Sequence, residues 1–186
     1  MKKRLKEKSL DIGSGMAALK KLEPKPQNNL IDKWNLYYHL PYDKNWTAES
    51  YKNIHEIQTV EELIAINETL PEDVVRSCML FVMKTGILPL WEDPQNRTGG
   101  AFSFRVPNKN VPLVWRHLFY VLCGGTLAID KKYNSLINGI SISPKKSFCI
   151  LKIWMKDCSI QDPTIITKIK DLQTEGCLFK IHEPEF

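Results

Sequence analysis

No run of apolar residues in this 186-residue chain reaches the roughly 20 needed to cross a bilayer as a helix, so no membrane association is expected. The basic start, Met1-Lys2-Lys3-Arg4, leads into polar residues with no apolar segment behind it, which argues against a secretory signal. Cysteine is sparse. The five residues Cys78, Cys123, Cys149, Cys158 and Cys177 are odd in number, and no two share a Cys-x-x-Cys spacing. That pattern argues against a disulfide framework and a zinc site, and for a reducing compartment, the cytoplasm. The Asn96-Arg97-Thr98 sequon is accordingly expected to stay unglycosylated. The sequence also lacks a phosphate-cradling glycine loop, a metal-ligand cluster and a nucleophile elbow, and its histidines (His39, His55, His117, His182) are scattered and read as surface or interface residues. Neither an enzyme nor a cofactor or metal is expected.

A broad basic surface is missing too, although the net charge is +5. Residues 1–27 hold eight Lys/Arg against three Asp/Glu, which accounts for all of it; the other 159 residues balance at eighteen of each. The chain therefore divides into a basic tail, 1–27, expected to be disordered apart from a short helix at 16–22, and a neutral domain, 28–186. A neutral domain suits a compact ligand better than a long duplex. Charge is nonetheless segregated: residues 49–73 carry seven acids and one lysine, whereas residues 130–156 carry six lysines and one acid. The acidic stretch reads as a solvated face.

Three helices are signalled by their ends. Thr59-Val60-Glu61-Glu62 is a capping box, with Val60, Leu63, Ile64 and Leu70 as the apolar face behind it. Pro112 marks the first turn of a second helix carrying Leu113, Trp115, Leu118, Phe119 and Leu122, which stops at Gly124-Gly125. Asp162-Pro163 opens a third, with Ile165, Ile166, Ile169 and Leu172 on one face and Gly176 after its end. Strand-like runs lie at 34–40, 78–84, 101–106, 137–143, 147–156 and 177–182. In the run after the Pro144-Lys145-Lys146 turn, Cys149, Leu151, Ile153 and Met155 alternate with Phe148, Ile150, Lys152, Trp154 and Lys156. The first set should meet the core. The second forms either a solvated edge or a concave binding surface, and periodicity does not separate the two. Helices interspersed among hairpins at irregular intervals predict an α+β layer, one antiparallel sheet with helices on one face.

The segment Leu88-Pro89-Leu90-Trp91-Glu92-Asp93-Pro94, followed by Gly99-Gly100, sets an indole beside a carboxylate in a turn-rich loop. An indole face attracts a flat cation, and a carboxylate accepts hydrogen bonds from its edge, so a positively charged purine satisfies both. The series Trp34, Trp46, Thr59-Val60-Glu61-Glu62, Trp91-Glu92-Asp93, Gly99-Gly100, Trp115, Gly139, Ile153-Trp154 resembles the eukaryotic translation initiation factor 4E family, which binds the messenger RNA cap. The resemblance runs from about residue 30 to 181. It implies a curved antiparallel sheet of about eight strands, three helices on its convex side and a cap pocket on the concave side.

By this resemblance Trp46 and Trp91 sandwich 7-methylguanine, Glu92 pairs with its edge and Trp154 lies near the methyl group. At the phosphate end the family's arginine after Gly-Gly is Ala101; Lys145 keeps a basic position, and the two lysine positions beyond it carry Ser147 and Ile150. Lys145, Lys146 and Lys152 are therefore expected to hold the phosphates, less firmly than is usual in the family. The resemblance also implies a helical face for a scaffold factor 4G-like or repressor protein, through Val60, Ile64, Arg116 and Gly124. There Ile64 stands where the family has a tryptophan, Arg116 replaces a leucine and His117 an acid, so a divergent partner or weak binding is expected. With the chain ending at Phe186, the family's loop over the cap is expected to be lacking, with fewer contacts to the second nucleotide. The function expected is cap binding in translation initiation. The alternative is a family-like adaptor or repressor with weak cap affinity.

Overall fold

The computed structural model describes residues 27–184; the tail 1–26, with the disorder and short helix expected there, lies outside them. Within that span seven strands form one antiparallel sheet: β1 (Asn29–His39), β2 (Lys52–Thr59), β3 (Met79–Lys84), β4 (Gly100–Pro107), β5 (Ile137–Pro144), β6 (Phe148–Met155) and β7 (Leu178–Ile181). Their spatial order is β2-β1-β3-β5-β6-β4-β7, so β2 and β7 are the free edges. Alternation assigns the faces. Leu80 and Val82 on β3, Ile140 and Ile142 on β5, Leu151 and Ile153 on β6, and Phe102 and Phe104 on β4 join the main core. Tyr37, Phe81, Met83 and Trp154 point to the opposite, concave face.

The main core is closed by α1 (Val60–Thr69), α2 (Glu72–Ser77) and α3 (Val111–Cys123). The capping box forms as read: Thr59 Oγ1 accepts from the Glu62 backbone N–H at 3.2 Å, and the Glu62 carboxylate accepts from the Thr59 N–H at 3.1 Å. On α1 the buried face is Leu63, Ile66 and Asn67, while Ile64 stays 48% exposed. Asn67 donates to the Arg116 carbonyl at 2.9 Å and so ties α1 to α3. Val111, Val114, Trp115, Leu118, Phe119 and Leu122 bury one stripe of α3, each contributing roughly 1.5–3 kcal/mol of apolar transfer. Pro112 follows the first helical residue, Val111, and Leu113 faces outward. The helix ends as expected, with Gly125 at φ +66°.

Three elements differ from expectation, the first being the short helix α2, which the sequence did not signal. The third predicted helix is not formed: Pro163–Ile165 make a single 3-10 turn capped by Asp162, and the chain then runs in irregular, extended form. The backbone there pairs with another segment, Ile129 N–H to the Ile165 carbonyl and Thr167 N–H to the Leu127 carbonyl, both at 2.8 Å. A Thr164-Ile165-Ile166-Thr167 run is β-branched throughout, which disfavours a helix. Ile166, Ile169 and Leu172 are buried all the same. Strand β2 is unannounced because its two apolar residues, Ile54 and Ile57, are three positions apart rather than alternating, although Ile57 is buried in the main core. It turns part of the acidic stretch into sheet.

Candidate functional site

A cavity of about 600 Å³ opens on the concave face. Trp46, Trp91, Glu92, Lys152 and Trp154 all line it, although they come from three separate stretches of chain. Lys145 and Lys146 lie outside it, exposed at the β5–β6 turn. Val60, Ile64, Arg116 and Gly124 lie on the helical side; Val60 opens α1 and Gly124 follows α3.

Trp91 and Glu92 ride on the β3–β4 loop, which is held by two side chains of its own. Asp93 accepts from the Leu88 and Gln95 N–H groups, each at 2.8 Å. Asn96 is fully buried and donates to the Leu88 and Leu90 carbonyls, each at 2.8 Å, while its own side-chain oxygen accepts from Asn138 on β5 at 2.9 Å. The loop re-enters the sheet at Gly100, where a β-carbon would stand 2.6 Å from the Phe179 ring of β7. Trp91 is therefore presented by a braced loop.

Trp46 also lines the cavity and is 51% exposed. One face of its ring is stacked on His39, with centroids 4.2 Å apart and planes 2° from parallel. His39 is in turn fixed by the Asn45 carbonyl at 2.7 Å. Tyr51 packs beside this pair, and burial, followed by the Glu92 carboxylate, pushes its phenol up to about 12. The floor is Trp154, 3% exposed, whose indole N–H donates to Ser141 Oγ at 2.9 Å.

His182 backs Trp91, 5.5 Å between centroids and 15° between planes, and its Nδ1 lies 2.8 Å from the Asn96 carbonyl. The ammonium groups of Lys152 and Lys180 stand 5.5 and 5.4 Å from the Trp91 ring centroid. Burial, then the charges of Lys180 and Lys145, lower the Lys152 ammonium below its ordinary value. His39 and His182 are thus buried behind two of the pocket's tryptophans rather than surface residues. Sequence reasoning missed them together with Tyr51, Asn96 and Lys180. The alternation of Tyr37 with His39 on β1 was the one local signal available. On the helical side Arg116 pairs with Glu68 at 3.7 Å, and Tyr120 donates to Glu68 at 2.7 Å.

The sequence model described as eukaryotic initiation factor 4E matches residues 29–183. The chain belongs to that family. Among curated members of the 4E family, the Candida glabrata translation initiation factor 4E is 31% identical over 136 residues, covering 69% of this chain and 63% of its own. The Saccharomyces cerevisiae factor is also 31% identical, over 134 residues, covering 68% and 61%. The chain thus spans about three fifths of the length of these relatives. Two solved structures share the 4E fold at 22% identity. One is a Caenorhabditis elegans factor in complex with the 4E-binding protein Mextli and a cap analogue, at a TM-score of 0.63, covering 72% of this chain and 76% of that one. The other is a schistosome factor complexed with m7GpppG and a 4E-binding protein, at 0.65, covering 73% and 75%. In this family member the seven strands and the three helices stand as α+β layers, the cavity on the side away from the helices.

Proposed function

We propose that this protein binds the 7-methylguanosine cap of messenger RNA in translation initiation, as a non-enzymatic factor working in the cytoplasm. The observation that carries the reading is the convergence of Trp46, Trp91 and Glu92 on one cavity. Methylation at N7 gives guanine a positive charge, and a cationic ring between two indoles gains cation–π attraction beyond ordinary stacking. Trp46 has one face occupied by His39, which leaves its other face for the base. Glu92 accepts hydrogen bonds from the N1–H and the N2 amine, charge-assisted because the acceptor is ionised. Trp154 closes the pocket near the methyl group. Trp91 already draws two ammonium groups to its ring, and a flatter cation displaces them towards the phosphates that follow it. Lys152 is the principal phosphate ligand, with Lys145 and Lys146 at the turn beyond it.

Titration with 7-methylguanosine triphosphate and guanosine triphosphate, following tryptophan fluorescence, tests this reading. Micromolar or tighter binding selective for the methylated ligand, and lost in Trp91→Ala, supports it. Equal binding of the two would transfer the function to the helical face. That second reading, an adaptor or repressor acting through a protein partner, is favoured by the altered surface at Ile64 and by the Arg116–Glu68 pair. In either reading Val60, Ile64, Arg116 and Gly124 contact a scaffold factor 4G-like or repressor protein.

A further inference from the structure

Directly opposed residues of an antiparallel pair share a face of the sheet. Lys180 of β7 opposes Ala101 of β4, which itself opposes Trp154 of β6. Ser103 opposes Lys152, and Arg105 opposes Ile150. Trp154 and Lys152 line the cavity, so Lys180, Lys152 and Arg105 all stand on the concave face. They descend in register from the pocket towards the β5–β6 turn, where Lys145 and Lys146 are exposed. Only the small side chains of Ala101 and Ser103 lie between them on β4. Two acids, Glu92 and Glu183, line the cavity itself, but β4, β6 and β7 carry none. Among the described residues none of these three cations is paired with a carboxylate.

We propose that Lys180 and Arg105 extend the phosphate site into a track for the single-stranded RNA that follows the cap; the inference rests on the cap reading. Lys180 supplies charge beside Ala101, and its ammonium is as close to Trp91 as that of Lys152. Burial first, then repulsion from Lys180 and Lys145, lowers Lys152, and that repulsion between neighbouring cations marks a spot where an anion is favoured. Arg105 lies four residues along β4 from Ala101, about 13 Å at strand rise. A triphosphate seated at Lys180 does not reach it, whereas a further nucleotide does. The Arg105 guanidinium sits 4.0 Å from the Phe148 ring centroid, and an arginine on an aromatic ring offers both a phosphate fork and a stacking surface.

The test uses the full chain, three ligands and a salt series. The ligands are 7-methylguanosine monophosphate, 7-methylguanosine triphosphate and a capped oligoribonucleotide of about ten nucleotides. Lys180→Ala is expected to weaken the triphosphate about fivefold or more and the monophosphate far less. Arg105→Ala is expected to weaken the capped oligonucleotide several times more than the triphosphate. Each loss should lower the salt slope for the oligonucleotide by about one, with Lys180→Arg and Arg105→Lys largely restoring it. Wild-type affinity of both alanine variants for the capped oligonucleotide, in a protein that does select the methylated base, would overturn the track alone. If the unaltered protein shows no selectivity for the methylated base, the cap reading falls and the track with it.

Discussion

Trp91 and His182 stack at 15°, which couples the exposed wall of the pocket to a buried titratable ring. Burial holds His182 below its ordinary value of 6.5; the Asn96 carbonyl opposes this and the Lys152 charge adds to it. The unfolded chain therefore binds the proton more readily than the fold does. Stability is full above about pH 6.5 and is lost as the pH falls from there through the lower folded value. Urea midpoints between about pH 5 and 7.5 should rise with pH, and His182→Asn should flatten that rise. A variant with an unchanged profile would assign the slope to another group.

Asn96→Ala removes the donors to Leu88 and Leu90 and leaves one Asn138 N–H without its acceptor, the other keeping its bond to the Gln95 carbonyl. The expected cost is about 3 kcal/mol by urea unfolding, since buried partners left unpaired lose their full solvation. Binding of the methylated nucleotide should weaken as well, because Trp91 loses its brace. A change below about 0.5 kcal/mol would mean that Asp93 alone holds the loop.

Trp46→Ala should cost about 2 kcal/mol of binding to 7-methylguanosine triphosphate and much less to guanosine triphosphate. Equal losses for the two ligands would show that the indole supplies stacking area without responding to charge. Parallel fluorescence or calorimetric titrations decide it.

At the helical face, a peptide with an ordinary Tyr-x-x-x-x-Leu motif should bind weakly. Ile64→Trp should strengthen it by about 2 kcal/mol, the scale of one aromatic hot spot. Nanomolar binding by the unaltered protein would show that Ile64 and Arg116 are no handicap.

Removing one cap is the simplest stability test. Thr59→Ala should cost about 1 kcal/mol of unfolding free energy, read as a lower urea midpoint, and Thr59→Ser should restore most of it.

Local chemistry was the legible part of this chain. Thr59 with Glu62, Gly124-Gly125 after α3, and the two alternating sets of β6 each depend on neighbours within a few residues, and the structure carries all three. Helix 162–176 was misread because its apolar spacing suits burial by either conformation, and pairing with residues 127–129 decided between them. In the pocket, Trp91 and Glu92 drew attention through their own chemistry. The residues that hold or supplement them did not, since Asn96 meets His182 across 86 positions and Lys180 reaches Trp91 from another strand. No window along the sequence contains such a pair. Asn96 looked like a sequon, and His182 like a surface histidine.

Among the described residues, thirty-two side chains are buried in the core on the helical side of the sheet and five in the cluster on the other. The sheet thus has one finished layer and one begun. On the proposed cap reading, a flat cationic base seated against Trp46 and Trp91 would supply the missing packing, and the ligand would be a component of the architecture as well as its cargo. Occupancy at a hundredfold excess over the dissociation constant adds about 2.7 kcal/mol to the stability of the folded chain. For a domain of ordinary marginal stability, cap binding as proposed would tie the lifetime of the protein to the supply of message ends.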